Sequence, residues 1–189
     1  MVNKLLQALF LSITLLSFSA MATEEGRTDY FKKIGVWSSG ILHVNNTDIV
    51  RLLTTSALLP VKSGLVLNFS KNKFAVYMSI NKTGNEIGNV YHKDPIEVPC
   101  ELRVDTNPVI SSTCLMYDDN TNIYLLYANI ANVYYQLIDE LKAGNTLRTK
   151  IGTGNNASYD RYSLKGFSRS YSRAMSLLNR MNNDSDYFR

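Results

Sequence analysis

The fold of this chain is decided by residues 65–80, which read LVLNFSKNKFAVYMSI. Both halves of the stretch place an apolar residue at every second position: Leu65, Leu67, Phe69, Phe74, Val76, Met78 and Ile80. Alternation with a period of two is typical of a β-strand with one buried face. The polar segment 70–73 between the halves is typical of a tight turn. The stretch therefore predicts an antiparallel hairpin.

Similar β-type runs recur at short intervals on both sides of this hairpin. They cover Ile34–Ser38, Asp48–Thr55, Glu97–Asp105, Ser112–Tyr117, Ile123–Tyr127, Thr146–Ile151 and Tyr159–Leu164. Short strands at close spacing favour antiparallel pairing. The sequence therefore predicts one sheet, or two packed sheets, built from local hairpins.

Two helices are predicted near the C-terminus. The first has apolar residues at helical spacing, namely Ile130, Val133, Tyr134, Leu137 and Leu141, and Gly144 is placed for a left-handed C-terminal cap. The second covers residues 168–181, with an apolar face made of Tyr171, Ala174, Met175, Leu178 and Met181. The expected fold class is mainly β with two helices, an antiparallel β-sandwich-like or curved sheet covered by the two C-terminal helices.

Residues 1–22 have the features of a secretory signal peptide. Lys4 precedes the apolar and small-residue run 5–20, and Ala20 and Ala22 frame a cleavage position. We expect cleavage near Ala22 and a periplasmic or secreted bacterial protein without a stable transmembrane anchor; retention of the segment as an uncleaved anchor is the alternative. The remaining chain divides into a flexible N-terminal segment (23–33), a single β-rich domain (34–182) and a flexible tail (183–189).

Cys100 and Cys114 are the only cysteines. In an oxidising compartment they are expected to form a disulfide, which for a loop of this size contributes about 3 kcal/mol in the chain-entropy model. The alternative is a redox pair, but the spacing is far from Cys-x-x-Cys and no helix begins beside either thiol.

The C-terminal segment from Lys142 to Arg189 is basic, with nine basic and three acidic residues. In an exported protein such a charge favours anionic lipid, polysaccharide or an acidic protein as a partner rather than nucleic acid. The alternative is a solvated face that aids solubility.

The predicted last helix carries a stripe of arginines opposite its apolar face. Arg169, Arg173 and Arg180 lie within a narrow arc and could bind phosphates or carboxylates bidentately. Together with Lys165 they are the candidate binding residues. An ordinary polar helix face is the alternative.

No catalytic, metal or cofactor site is predicted. His43 and His92 are the only histidines, and neither has a second ligand at the spacing of a metal site on one element. No Gly-x-Ser-x-Gly elbow occurs. A cell-envelope hydrolase that uses either histidine is therefore a lesser hypothesis.

Two short segments carry a family resemblance. Leu102–Asp105, and residues 162–168 leading into the last helix, resemble small bacterial exported proteins of the invasion-associated locus B and type VI secretion accessory VasI kind. The resemblance extends over residues 65–181 in the order of elements. It implies a periplasmic or surface-exposed β-sandwich-like module with an internal disulfide and no enzymatic centre.

The expected function is a non-enzymatic accessory module that docks an envelope or secretion-system component through its basic C-terminal face, with an exposed sheet edge as a further docking route. Two alternatives stay open. One is an exported inhibitor or immunity protein that inserts a loop such as 82–93 into a partner enzyme or toxin, and the other is the hydrolase.

Overall fold

A computed structural model describes residues 27–44, 47–55, 63–70, 73–81, 95–118, 123–128, 133–154 and 157–186. The predicted signal peptide, the loop 82–93 and His92 lie outside the described residues. Within the described residues, ten strands and two helices form.

The strands are β1 (Arg27–Ile34), β2 (Trp37–Val44), β3 (Thr47–Thr55), β4 (Gly64–Ser70), β5 (Lys73–Asn81), β6 (Ile96–Val104), β7 (Ile110–Asp118), β8 (Ile123–Ala128), β9 (Thr146–Ile151) and β10 (Ser158–Ser163). The helices are α1 (Tyr134–Ala143) and α2 (Phe167–Asp186).

All ten strands belong to one antiparallel sheet with the order β1-β2-β3-β4-β5-β8-β7-β6-β9-β10. The predicted class, mainly β with an antiparallel curved sheet and two C-terminal helices, is confirmed. Seven of the nine neighbouring pairs join strands that are consecutive in the chain, and the other two pairs are β5–β8 and β6–β9.

The hairpin predicted from residues 65–80 forms as β4 and β5. Leu67 lies opposite Val76 and Phe69 lies opposite Phe74, and both residues of the first pair are buried. The same face continues across β8, where Leu126 lies opposite Met78 and is fully buried. One face of the sheet, which we call the inner face, therefore carries the hydrophobic core.

The sheet curls so that its two ends meet at the β1–β2 turn. The Trp37 indole nitrogen donates a hydrogen bond of 2.9 Å to the Ser163 carbonyl at the end of β10. The Val36 amide donates to the Lys165 carbonyl at 3.2 Å. A side chain at Gly35, where φ is +66°, would overlap that same carbonyl oxygen, so glycine permits this close approach.

Helix α2 lies against the inner face of β1 to β4. Phe167 packs edge-on against Trp37 with ring centroids 4.9 Å apart, and Tyr171 packs edge-on against Phe69 at 5.7 Å. Ala174 and Leu177 are buried along the same side of the helix. Helix α1 lies beside it, with Leu137, Ile138 and Leu141 buried.

Several boundaries differ from the predictions. The segment 23–33, expected to be flexible, contains strand β1 from Arg27 onward, because its backbone pairs with β2 although its side chains are mostly exposed. Helix α2 continues to Asp186, into the predicted tail. The predicted strand Ile34–Ser38 contains the turn between β1 and β2.

The cap predicted at Gly144 has a different conformation. Gly144 is extended, with φ −86° and ψ 176°, and its amide donates to the Glu140 carbonyl. A side chain at Gly144 would overlap Val104. Close packing against β6, rather than a left-handed backbone, is therefore what requires glycine there.

Candidate functional site

The three arginine side chains of the stripe predicted on α2 extend in different directions. Arg173 reaches the sheet, where its guanidinium donates hydrogen bonds of 2.9 Å to both the carbonyl and the hydroxyl of Ser39. It also donates to the Tyr30 carbonyl. Burial, with a smaller contribution from Arg180, lowers the pKa of Arg173. Arg173 therefore joins α2 to β1 and β2.

Tyr30 lies at an irregularity in the edge strand β1. The register of β1 against β2 shifts between Asp29 and Lys32, and Tyr30 has a φ of +54°. This conformation is strained for a bulky residue. Gly40 of β2 accommodates the bulge, since a side chain there would lie 3.0 Å from the Asp29 carbonyl oxygen. The Tyr30 side chain is 65% exposed.

The remaining candidate residues, Arg169 and Arg180 on α2 and Lys165 just before it, are exposed. The Arg180 guanidinium lies 6.0 Å from the centre of the Tyr30 ring, at the limit of a cation–π contact. Phe31, beside Tyr30, is 44% exposed. We call Tyr30, Phe31 and Arg180 the β1–α2 surface.

We expect Arg173→Ala to loosen β1 without unfolding the domain. The substitution removes three hydrogen bonds to β1 and β2, which corresponds to about 1–3 kcal/mol. Hydrogen exchange should therefore become faster in β1, while the amides of β4 and β5 keep their protection. Arg173→Lys, which keeps the charge but not the three-bond geometry, should give an intermediate result. Unchanged exchange in β1 would show that Arg173 does not hold this strand.

The predicted disulfide between Cys100 and Cys114 is present. It joins β6 to β7 across neighbouring positions of the inner face, since Cys114 lies opposite Val98 and Cys100 opposite Ser112. Both cysteines are buried. The bridge is therefore part of the core.

His43 lies in a cluster of charged residues at one end of β1, β2 and β3. Its Nδ1 atom is 2.5 Å from Asp48 Oδ1. Its Nε2 atom is 3.2 Å from Asp29 Oδ2. Asp29 is also paired with Arg27 at 2.5 Å, and this partner lowers the pKa of Asp29. Two carboxylates therefore flank the imidazole of His43.

A second basic feature lies on the outer face of the sheet. Arg103 of β6 lies directly opposite Arg148 of β9, which lies opposite Arg161 of β10. All three residues are exposed. We call these three residues the arginine row. The row was not predicted from the sequence, because its members are far apart along the chain and only the strand register brings them together.

The β6–β7 turn positions two members of the row. Arg103 donates to the Asn107 carbonyl at 3.0 Å, and Arg148 donates to the Asp105 carbonyl at 2.7 Å. The Asp105 carboxylate in turn accepts hydrogen bonds from the amides of Asn145 and Thr146. These bonds lower the pKa of the Asp105 carboxyl, and the bond from the Asn145 amide makes the largest contribution. The Leu102–Asp105 segment of the family resemblance forms the end of β6 and the first residue of this turn.

The described residues contain neither a cluster of metal-binding side chains nor a helix suited to crossing a membrane. Across the part of the chain that the structure describes, no group of three or more histidine, cysteine and acidic side chains could hold a metal ion. Neither α1 nor α2 has the length and apolar character needed to cross a membrane.

Comparison with known proteins shows a likeness in fold. No protein-family model matches the chain, and no curated protein is significantly similar to it. The crystal structure of invasion associated protein B from Bartonella henselae is similar, with a TM-score of 0.54 and 14% sequence identity. The match covers 80% of this chain and 99% of that chain.

The chain is thus a curved antiparallel sheet with a helix packed on its inner face. At this level of identity, the likeness to invasion associated protein B shows the fold alone. In fold, it agrees with the expected resemblance to invasion-associated locus B proteins, whereas the resemblance to the type VI secretion accessory VasI stays a prediction.

Proposed function

We propose that this protein is an exported, non-enzymatic accessory module that docks another envelope or secreted protein through the β1–α2 surface. Two findings support the proposal. The fold resembles that of an invasion-associated protein, and the chain contains a buried disulfide, which is compatible with an oxidising compartment.

The conformation of Tyr30 is the observation that carries this proposal. Strained backbone conformations persist only where the surrounding structure enforces them, and they concentrate at functional sites. Arg173 binds the Tyr30 carbonyl, and Gly40 makes room for the bulge. The result is a large aromatic side chain held outward at 65% exposure. Tyrosine and arginine are enriched among the residues that dominate binding energy at protein interfaces.

The charges around Tyr30 indicate the chemistry of the partner. Arg180 lies near its ring, and the exposed residues Lys32 and Lys33 follow it in β1. These cations favour an acidic partner surface with a pocket for an aromatic ring, and they would mainly increase the association rate and the sensitivity to salt. The bulge and the lysines interrupt the strand edge, so side-chain docking is favoured over addition of a β-strand.

Site-specific photo-crosslinking tests this proposal. We expect a photoreactive amino acid in place of Tyr30 to crosslink in living cells to one envelope or secreted protein, identified by mass spectrometry. The Arg180→Glu substitution in the same chain should reduce the yield severalfold, because it reverses a charge beside the crosslinking position.

The matched control is Tyr135, an exposed tyrosine on α1 that is 81% accessible and lies outside the β1–α2 surface. The photoreactive amino acid at that position should give no crosslink to the same protein. Equal crosslinking from both positions, or none from position 30, would contradict docking at this surface.

A further inference from the structure

The arginine row brings three positive charges together on neighbouring strands. Like charges directly opposite each other on neighbouring strands repel, and Arg148 has an arginine on both sides. A bound anion would reduce this repulsion, so the arrangement indicates an anion-binding surface.

Hydrogen bonds within the protein already hold two side chains of the arginine row in place. The bonds from Arg103 and Arg148 to turn carbonyls restrict both side chains. Each guanidinium carries several N–H donors in a rigid planar fork, so these bonds leave donors on both groups for an anion. A restricted side chain loses less entropy when it binds.

The next row on the same outer face extends this surface. Lys150 lies opposite Glu101 and Tyr159, and its ammonium is 3.1 Å from the Glu101 carboxylate. Tyr159 is 61% exposed. The open face thus offers a line of guanidinium groups with an exposed aromatic ring beside it.

We infer that the arginine row binds an acidic polysaccharide that crosses β6, β9 and β10. Neighbouring strands are about 4.8 Å apart, which is close to the length of one sugar unit. A polymer with one carboxylate per sugar could therefore present one anion to each strand. An extended acidic peptide places same-side residues roughly 6.7 Å apart, which fits the row less well. Tyr159 can pack against a sugar ring.

The test is direct binding of alginate, a polymer of uronic acids, measured by calorimetry at low and moderate salt. Wild-type protein should bind alginate, and binding should weaken as salt increases. Replacing Arg103, Arg148 and Arg161 by glutamine should lower the affinity by about tenfold or more, since charge-assisted hydrogen bonds are lost. The control variant replaces Lys165, Arg169 and Arg180 by glutamine. It removes the same charge elsewhere and should change the affinity by less than about threefold.

Two single substitutions test the same inference if the triple variant is unstable. Arg161→Glu alone, which leaves the bonds to the β6–β7 turn intact, should lower the affinity severalfold. Tyr159→Ala should also weaken binding. Neutral dextran should not bind.

Several outcomes would overturn the inference. Equal losses in the two triple variants would show a response to net charge only. Tighter binding of poly-glutamate than of alginate would assign the row to an acidic peptide. Tighter binding of phosphatidylglycerol vesicles would assign it to a membrane. The crosslinking at Tyr30 does not depend on any of these results, so the two proposals can fail separately.

Discussion

Trp37→Ala should lower the free energy of unfolding by about 3–5 kcal/mol, the usual cost of truncating a large buried aromatic side chain. Trp37 is fully buried and begins β2. Its ring packs against Phe167 at the start of α2, and its indole nitrogen binds the Ser163 carbonyl at the end of β10. One side chain thus joins an early strand, the last strand and the last helix. Its loss should open the contact between the two ends of the sheet.

Thermal and denaturant unfolding of the purified domain would measure this effect. A loss of this size should lower the melting temperature by roughly 10 °C for a chain of this length. Trp37→Phe, which keeps an aromatic ring but removes the indole donor, should cost less. Tyr135→Ala is the matched control at an exposed aromatic residue and should change stability by no more than about 0.5 kcal/mol. If the Trp37 and Tyr135 variants were equally stable, the two ends of the sheet would not be held together at Trp37.

Two glycines lie at the same contact between the ends of the sheet, and neither position has room for a larger residue. Gly166 has a φ of +93°, and a side chain there would overlap the Ile34 carbonyl oxygen. Gly35 faces the matching carbonyl of Lys165 from the other side. The two turns approach backbone to backbone, so neither has space for a β-carbon. Trp37 fills the core next to this contact.

Alternating sequence patterns predicted several strands well. The hairpin of residues 65–80 and the strand 146–151 form with nearly the predicted bounds, because their apolar residues face a core that buries one side. Strand β1 escaped prediction, since it is an edge strand with mostly exposed, charged side chains. Most of β2 was not predicted, because a polar residue, Ser39, is buried in it. The Ser39 hydroxyl accepts a hydrogen bond from Arg173.

The candidate site was only partly predictable for related reasons. The cysteine pair followed from composition and compartment alone. Helical spacing placed Arg173 with Arg169 and Arg180, but a long arginine side chain can reach back to the sheet, and it does so here. The arginine row depends on the pairing of β6, β9 and β10. No local pattern in the sequence contains that information.

The second large effect is expected from removing the disulfide. Replacing both Cys100 and Cys114 by alanine should lower the free energy of unfolding by about 3 kcal/mol, because the unfolded chain regains the freedom of a loop of this length. The sequence separation is 14 residues. The bridge is also buried in the core, so the substitution removes packed sulfur atoms as well.

Unfolding curves of the double variant and of wild type, with and without reductant, would measure this contribution. Wild type that has been unfolded, reduced and refolded should match the double variant, whereas reductant alone should act slowly on the folded protein, because both sulfur atoms are inaccessible. The stability that depends on the bridge is available only where thiols are oxidised. A reduced chain should therefore be markedly less stable than the oxidised protein, which is the behaviour expected of a protein that folds after export. A double variant within about 1 kcal/mol of wild type would remove this link between the disulfide and export.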